Sequence, residues 1–268
     1  MKYKKIAIKI GSNVLTKADG TIDTDSLSNL VDQIAALYNK GIEIVLISSG
    51  AVASGRSILN VSKKMDVVDQ RQLFSAVGQA RLINHYWDMF KKHGITVGQV
   101  LTMKENFSSR RHYLNQRNCM RVMLDNQVLP IVNENDTVSI SELMFTDNDE
   151  LSGLIASMMG MEALIILSNI DGIYNGSPDD PESEVIRKIY KKDNIAEFIQ
   201  TSKSAFGRGG MTTKAAIARK IADEGIEVYI ANGKQKNILT RLMDKKDDVV
   251  CTHFVASKDS VSSVKKWI

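Results

Sequence analysis

The stretch "IEIVLISSGAVASG", residues 42–55, decides the fold. From Ile42 to Ile47 every position but Glu43 is apolar, and the run ends in Ser48-Ser49-Gly50. A strand with one wet face alternates apolar and polar residues, so a run like this one is covered on both faces. That is the mark of a parallel strand inside an α/β sheet. The small residues after it suit a strand-to-helix turn that lets a ligand approach closely. Close helix packing would account for Gly55 equally well.

Working outward, "DTDSLSNLVDQIAALYNKG" before it places Leu27, Leu30, Val31, Ile34, Leu37 and Tyr38 on one helical face, with Thr24 as expected N-cap and Gly41 as the stop. Further upstream, Ile6, Ile8 and Ile10 alternate with Ala7 and Lys9, a period of two, and Gly11-Ser12-Asn13 ends that strand. The first 50 residues therefore read β-α-β. Downstream the alternation continues. A helix is expected from about Asp69 to Lys92, with an interruption at Gly78, then a strand in "ITVGQVLTM", a helix over Tyr113–Leu124 and a strand in "QVLPIVNEND". "SISELMF" reads as a short extra strand or hairpin, "NDELSGLIASMMG" as a helix and "EALIILSN" as a buried strand. The turn-rich "DGIYNGSPDDPESE", a helix from Asn194, a glycine loop, the helix Met211–Glu224, the strand "IEVYIANG", a short helix near Asn237–Met243 and the strand "DVVCTHFVA" complete the pattern. Such alternation argues for an open, mostly parallel sheet with helices on both faces. Ligands of these sheets gather at the carboxyl ends of the strands, where GSN, SSGA, NEND and SNIDG all fall.

Composition sets the outer bounds. With 268 residues, 43% hydrophobic and 25% charged, the chain is of ordinary globular make-up, and a net charge of +4 permits anionic ligands without demanding nucleic acid. No leader-like apolar run precedes a cleavage site, and no stretch approaches a membrane span. A cytoplasmic protein with no membrane and no nucleic-acid partner is expected. Cys119 and Cys251 carry no metal-like spacing and read as two buried thiols. The four histidines, His85, His93, His112 and His253, are dispersed, and neither a nucleophilic triad nor a dinucleotide fingerprint is present.

"SAFGRGGMTTK", residues 204–214, places a glycine-rich loop directly before a helix that carries Lys214 in its first turn. Backbone amides at such a helix start suit phosphate, although an unliganded surface loop has the same composition. Lys9 lies at a strand exit just before Gly11, where it reads either as an edge-strand charge or as a point charge for phosphate. Asn133, Glu134, Asn135 and Asp136, and then Asp147, Asn148 and Asp149, form two acid-amide clusters. They can grip an ammonium group, organise lysines or hold a metal, and Asp147 or Asn148 can simply cap the following helix.

Taken in order, "IKIGSNVLT", "IVLISSGAVASG", "SAVGQARL", "LPIVNENDTV", "DNDELS", "LSNIDGIY", "GRGGMTTK" and "KKWI" resemble the glutamate 5-kinase branch of the amino acid kinase family, nearly end to end. The resemblance implies a three-layer αβα sandwich, read as one kinase domain over 1–268, with a glutamate-binding N-terminal lobe of about 1–160, an ATP-binding C-terminal lobe of about 161–268, and no additional C-terminal domain of the RNA-binding type. It implies Mg²⁺-dependent phosphoryl transfer from ATP to the γ-carboxylate of L-glutamate, the first step toward proline. It also implies Lys9, Lys214 and Asp149 as the catalytic group, and Ser49, Gly50, Ala51, Asp136 and Asn148 as glutamate contacts. For ATP it implies Lys9, Gly11, Ser168, Asn169, Arg208, Gly209, Gly210, Met211, Thr212, Thr213 and Lys214. No protein residue is assigned to the metal. A homo-oligomer of two or four chains, proline as feedback inhibitor and hand-off to a glutamyl phosphate reductase are the partners it implies. Asn169 and Arg208 depart from the branch's usual Asp and Thr. The alternatives are a sibling kinase acting on acetylglutamate, aspartate or UMP, and a non-catalytic nucleotide- or nucleic-acid-binding regulator.

Overall fold

Strand β1 (Lys5–Ile10) sorts its side chains onto two faces, and the whole molecule follows from that sorting. Ile6, Ile8 and Ile10 join one apolar cluster, with Ile44, Leu46, Ile165 and Leu167 from neighbouring strands. Ala7 joins a second cluster with Val45, Ile47, Leu164 and Ile166. The computed structural model describes residues 2–61, 64–138, 148–178, 180–194, 210–244 and 249–257.

After β1 come α1 (Ser12–Leu15), α2 (Thr24–Tyr38), β2 (Glu43–Ser48), α3 (Ala51–Arg56), α4 (Val67–Lys91), β3 (Thr96–Thr102), a 3₁₀ turn (Lys104–Phe107), α5 (Arg110–Asp125) and β4 (Val128–Glu134). The second half holds α6 (Asn148–Met159), β5 (Ala163–Ser168), β6 (Lys188–Ile189), α7 (Met211–Asp223), β7 (Glu227–Asn232), α8 (Ile238–Met243) and β8 (Cys251–Phe254). The strands form one sheet in the order β3-β4-β2-β1-β5-β7-β8-β6. All pairs are parallel except β7 with β8. Strand β1 is central, and Lys9 sits in register between Ile47 of β2 and Ile166 of β5.

One face of the sheet is covered by Leu27, Leu30, Val31 and Ile34 of α2 with Leu82, Tyr86 and Phe90 of α4. The other is covered by Leu151, Ile155 and Ala156 of α6 with Ala215, Ala218, Ile221 and Ala222 of α7. This is the expected αβα sandwich. Each fully buried Leu, Ile or Phe contributes about 1.5–3 kcal/mol relative to exposure, which fixes both helical layers onto the sheet. Among the described residues no helix is long and apolar enough to cross a membrane.

Several expectations are corrected. The N-cap of α2 is Asp23, whose carboxylate accepts from the Ser26 amide at 3.1 Å, and Thr24 is already helical. Helix α4 runs through Gly78 without a break. A Cβ at Gly78 would lie 1.8 Å from the Ala51 carbonyl oxygen, so this glycine is there for close contact with α3. Cys119 is exposed on α5, whose buried side chain is Met120, and of the two thiols it is Cys251 that is buried. The reading of "SISELMF" and of the helix from Asn194 lies outside the described residues.

Candidate active site

Because the strands run parallel, their carboxyl ends lie along one edge of the sheet, and the polar turns collect there. Gly11 donates its amide to the Leu167 carbonyl, Ser49 to that of Ile10, and Gly233 to that of Ser168. The exits of β1, β2, β5 and β7 are thereby tied together. Gly50, at φ +105°, makes the left-handed bend between β2 and α3, a conformation that favours glycine.

Lys9 points to the face covered by α6 and α7, since it follows Ala7 by two residues. Its side chain is 6% exposed, and an ammonium so deeply buried requires an anion. Asp149, in the first turn of α6, supplies it: Lys9 Nζ lies 2.5 Å from Asp149 Oδ1. Lys214, in the first turn of α7, takes the other oxygen, with its Nζ 2.8 Å from Oδ2. One carboxylate thus bridges two ammonium groups from separate elements. Burial pushes the Asp149 carboxyl up, but the charges of Lys9 and Lys214 and their hydrogen bonds outweigh it and hold the group below the ordinary carboxylate range. Lys214 retains 16% side-chain exposure.

The residue before Asp149 faces a different neighbourhood. Asn148 donates from Nδ2 to Ser49 Oγ at 2.8 Å and to Asn133 Oδ1 at 3.3 Å. Its own Oδ1 is buried and has no hydrogen-bond partner among the described residues. Asn133 Oδ1 also accepts from the Glu134 amide. Beyond it, Arg71 of α4 forks across two buried acids: its Nε lies 2.7 Å from Asp136 Oδ1 and its Nη2 2.9 Å from Glu134 Oε2. Two acidic side chains thus meet one guanidinium. Burial raises the Asp136 carboxyl above its ordinary range, with the Arg71 charge and hydrogen bond opposing. A positive cluster and a negative cluster are therefore joined through the first turn of α6, by Asp149 on one side and Asn148 on the other.

The structure brings Lys9, Lys214 and Asp149 together, and Ser49, Asn148 and, through Asn133 and Glu134, Asp136. Gly50 and Ala51 form the turn under Ser49, and Gly11 abuts β5 at Leu167. Ser168 is buried and Asn169 exposed at the β5 exit. Gly210 precedes α7 without a side-chain cap, and Met211, Thr212 and Thr213 form its first turn with Lys214. Arg208, Gly209 and Asp147 lie outside the described residues. Among the described residues no group of three His, Cys, Asp or Glu is arranged for a metal ion.

Sequence reasoning placed α4 but missed its polar side chains. Arg71 binds Glu134 and Asp136, the Gln72 amide donates to the Thr137 carbonyl at 3.0 Å, and Gln79 accepts from Asn133 at 2.7 Å. The signal was present as a polar stripe, Arg71, Gln72, Ser75 and Gln79, running up a helix whose other positions supply the core. Asp171 was missed too: it accepts from Asn232 Nδ2 at 3.1 Å and Gln235 Nε2 at 2.6 Å beside the β5 and β7 exits.

The amino acid kinase family matches residues 4–232. A glutamate 5-kinase from Bacteroides thetaiotaomicron is 68% identical over 267 residues, covering 100% of this chain and 74% of that protein. One from Chlorobaculum tepidum is 48% identical over 267 residues, covering 99% of this chain and 73% of that protein. Among solved structures, carbamate kinase from Giardia lamblia bound to AMP-PNP superposes with a TM-score of 0.64 at 16% identity, over 96% of this chain and 99% of that one.

Proposed function

Because the chain belongs to the amino acid kinase family, and within it to the glutamate 5-kinases, we propose that its two joined charge clusters seat L-glutamate and ATP for phosphoryl transfer. The chain is an ATP-dependent kinase of the glutamate γ-carboxylate, the first step of proline formation. The observation that supports this reading of the site is the polarity across the α6 start. Two buried acids suit the ammonium end of an amino acid, and two lysines gathered on one carboxylate suit the place where its side-chain carboxylate meets the γ-phosphate.

The acceptor is ionised at neutral pH, so no general base is needed, and dispersed histidines are no obstacle. A γ-carboxylate oxygen forms a bond to the γ-phosphorus while the bond from that phosphorus to the bridging oxygen breaks, and the electron pair leaves on ADP. No proton moves. The obstacle is repulsion between two anions, so rate comes from positioning and from fixed positive charge. Lys9 and Lys214 supply that charge, and Asp149 fixes where both ammonium groups sit. Ser49, Gly50, Ala51, Asn148 and Asp136 hold the amino acid. Gly11, Ser168, Asn169, residues 208–210 and the first turn of α7 hold the nucleotide. A kinase of this kind takes ATP with a divalent metal; we take it to be Mg²⁺, which would neutralise phosphate charge when bound with the nucleotide. Both oxygens of Asp149 are already committed to lysines, which fits an ion carried in chiefly on the triphosphate.

The same membership supports a cytoplasmic homo-oligomer of two or four chains, inhibited by proline and handing its acyl phosphate to a reductase. The division of labour is an N-terminal half for glutamate and a C-terminal half for ATP. The test is ADP release and hydroxamate formation with L-glutamate, ATP and Mg²⁺, against N-acetylglutamate, aspartate and UMP as acceptors. Turnover with L-glutamate alone among them is expected. Turnover with any of the others in its place overturns the reading.

A further inference from the structure

Ser49 and Asn148 touch each other, and their neighbours decide which atoms each leaves over. Asn133 Oδ1 accepts from the Glu134 amide at 2.9 Å. A backbone N–H can only donate, so the other end of the Asn133 side chain, Nδ2, is the one that meets Gln79 Oε1 at 2.7 Å. Asn133 therefore shows its oxygen to Asn148, which answers with Nδ2 at 3.3 Å, and the same Nδ2 donates to Ser49 Oγ at 2.8 Å. Asn148 Oδ1 is left as a buried acceptor with no hydrogen-bond partner among the described residues. Ser49 Oγ has accepted, so its own hydrogen is left to donate. An acceptor beside a donor suits the headgroup of an α-amino acid, whose ammonium can only donate and whose carboxylate can only accept.

The backbone of Ser49 is held as well. Its amide donates to the Ile10 carbonyl at 3.2 Å. Its carbonyl accepts from Ser48 Oγ at 3.1 Å, and since that hydroxyl has one hydrogen, it accepts in turn from the Tyr86 hydroxyl at 2.7 Å. Tyr86 is fully buried on α4 in a stripe with Leu82 and Phe90, where an unpaired hydroxyl is costly. Gln79 lies about two turns before it, on the same side of the helix. We propose that Gln79 and Tyr86 are positioning residues for glutamate: from one side of α4, Gln79 fixes the Asn148 amide through Asn133, and Tyr86 fixes Ser49 through Ser48. The inference rests on Ser49 and Asn148 being glutamate contacts, and the experiment separates the two ideas.

The glutamate KM, the ATP KM and kcat are measured for the wild type, Tyr86→Phe, Gln79→Met, Ser49→Ala, Asn148→Ala and the pairs Ser49→Ala/Tyr86→Phe and Asn148→Ala/Gln79→Met. Tyr86→Phe and Gln79→Met each raise the glutamate KM about three- to tenfold, the scale of one hydrogen bond. Their kcat and ATP KM move by less than about twofold. Each pair raises the glutamate KM no more than about twofold beyond its Ser49 or Asn148 variant, because the group being positioned is already gone. A wild-type glutamate KM in either α4 variant overturns the proposal. So does an ATP KM that rises as much as the glutamate KM, which marks a loosened fold. A fully additive loss in either pair overturns it too, since the effect then runs through other residues. If Ser49→Ala and Asn148→Ala both leave the glutamate KM unmoved, the headgroup reading itself fails and takes the proposal with it. Should an α4 variant not fold, Ser48→Ala breaks the same chain as Tyr86→Phe and must give the same rise; an unaltered value overturns the proposal.

Discussion

At the scale of single residues, the proposed chemistry depends on where two ammonium groups stand when a phosphate arrives. Lys9 and Lys214 share one carboxylate, so neither has to be ordered at the moment of reaction. Removing either tip, by Lys9→Ala or Lys214→Ala, is expected to lower kcat by roughly 10²–10³, the usual loss for one preorganised donor to a developing charge. A steady-state assay that finds kcat intact in either variant removes that lysine from the mechanism. Asp149→Asn tests the bridge in two ways. In catalysis it lowers kcat more than it weakens glutamate binding, because the lysines lose their shared anchor. In stability it leaves Lys9 buried without an anion, at about 3 kcal/mol or more. The sign with pH follows from the depressed Asp149 carboxyl. Its contribution is fully present above the unfolded value of about 4 and disappears as pH falls through the folded one. Urea unfolding of the wild type and Asp149→Asn should therefore differ most at neutral pH and converge in acid. A difference that persists undiminished at low pH is incompatible with the bridge.

Elements carry these residues to their places, and the contact of α3 with α4 shows how little room there is. A Cβ at Gly55 would lie 1.9 Å from the Phe74 carbonyl oxygen, and one at Gly78 1.8 Å from that of Ala51. These neighbours are backbone and cannot swing aside. Gly78→Ala is expected to cost about 2–3 kcal/mol by overpacking. It should also raise the glutamate KM, since α3 starts at Ala51 under Ser49, a proposed glutamate contact. Thermal unfolding and steady-state kinetics on one preparation check both, and a variant with wild-type melting temperature contradicts the packing. The same pair shows what the sequence could and could not convey. Periodicity placed α2, α4, β1 and β2, because apolar spacing is set by which face meets the sheet, and that is local. It misread Gly78 as a break, because the reason for that glycine is a carbonyl 27 residues earlier in the chain. In the same way Lys9 and Lys214 could be named as candidates from their strand exit and helix start. Asp149 could be named as part of an acid-amide cluster able to organise lysines, but its assignment to these two came only through resemblance; Arg71 was not named, since a polar stripe on a helix does not say what it meets 65 residues on.

For the whole molecule, the question is whether the two halves behave as one body. β1 lies between β2 of the first half and β5 of the second, paired with both along its length. Lys9 on β1 reaches, through Asp149 of α6, to Lys214 of α7. Sheet hydrogen bonds and the carboxylate bridge thus cross the same boundary. Unfolding should accordingly be a single calorimetric transition, and ligands that touch different halves should move the same peak. At a hundred times its dissociation constant, either L-glutamate or Mg²⁺-ATP should add about 2.7 kcal/mol to the stability of the whole, provided it binds only the folded chain. In Lys214→Ala the nucleotide shift should shrink while the glutamate shift remains, because the loss is in the proposed phosphate site and not in the acids beyond Asn148. Two separate transitions, with ATP moving one and glutamate the other, would mean that the central strand joins the halves without coupling them.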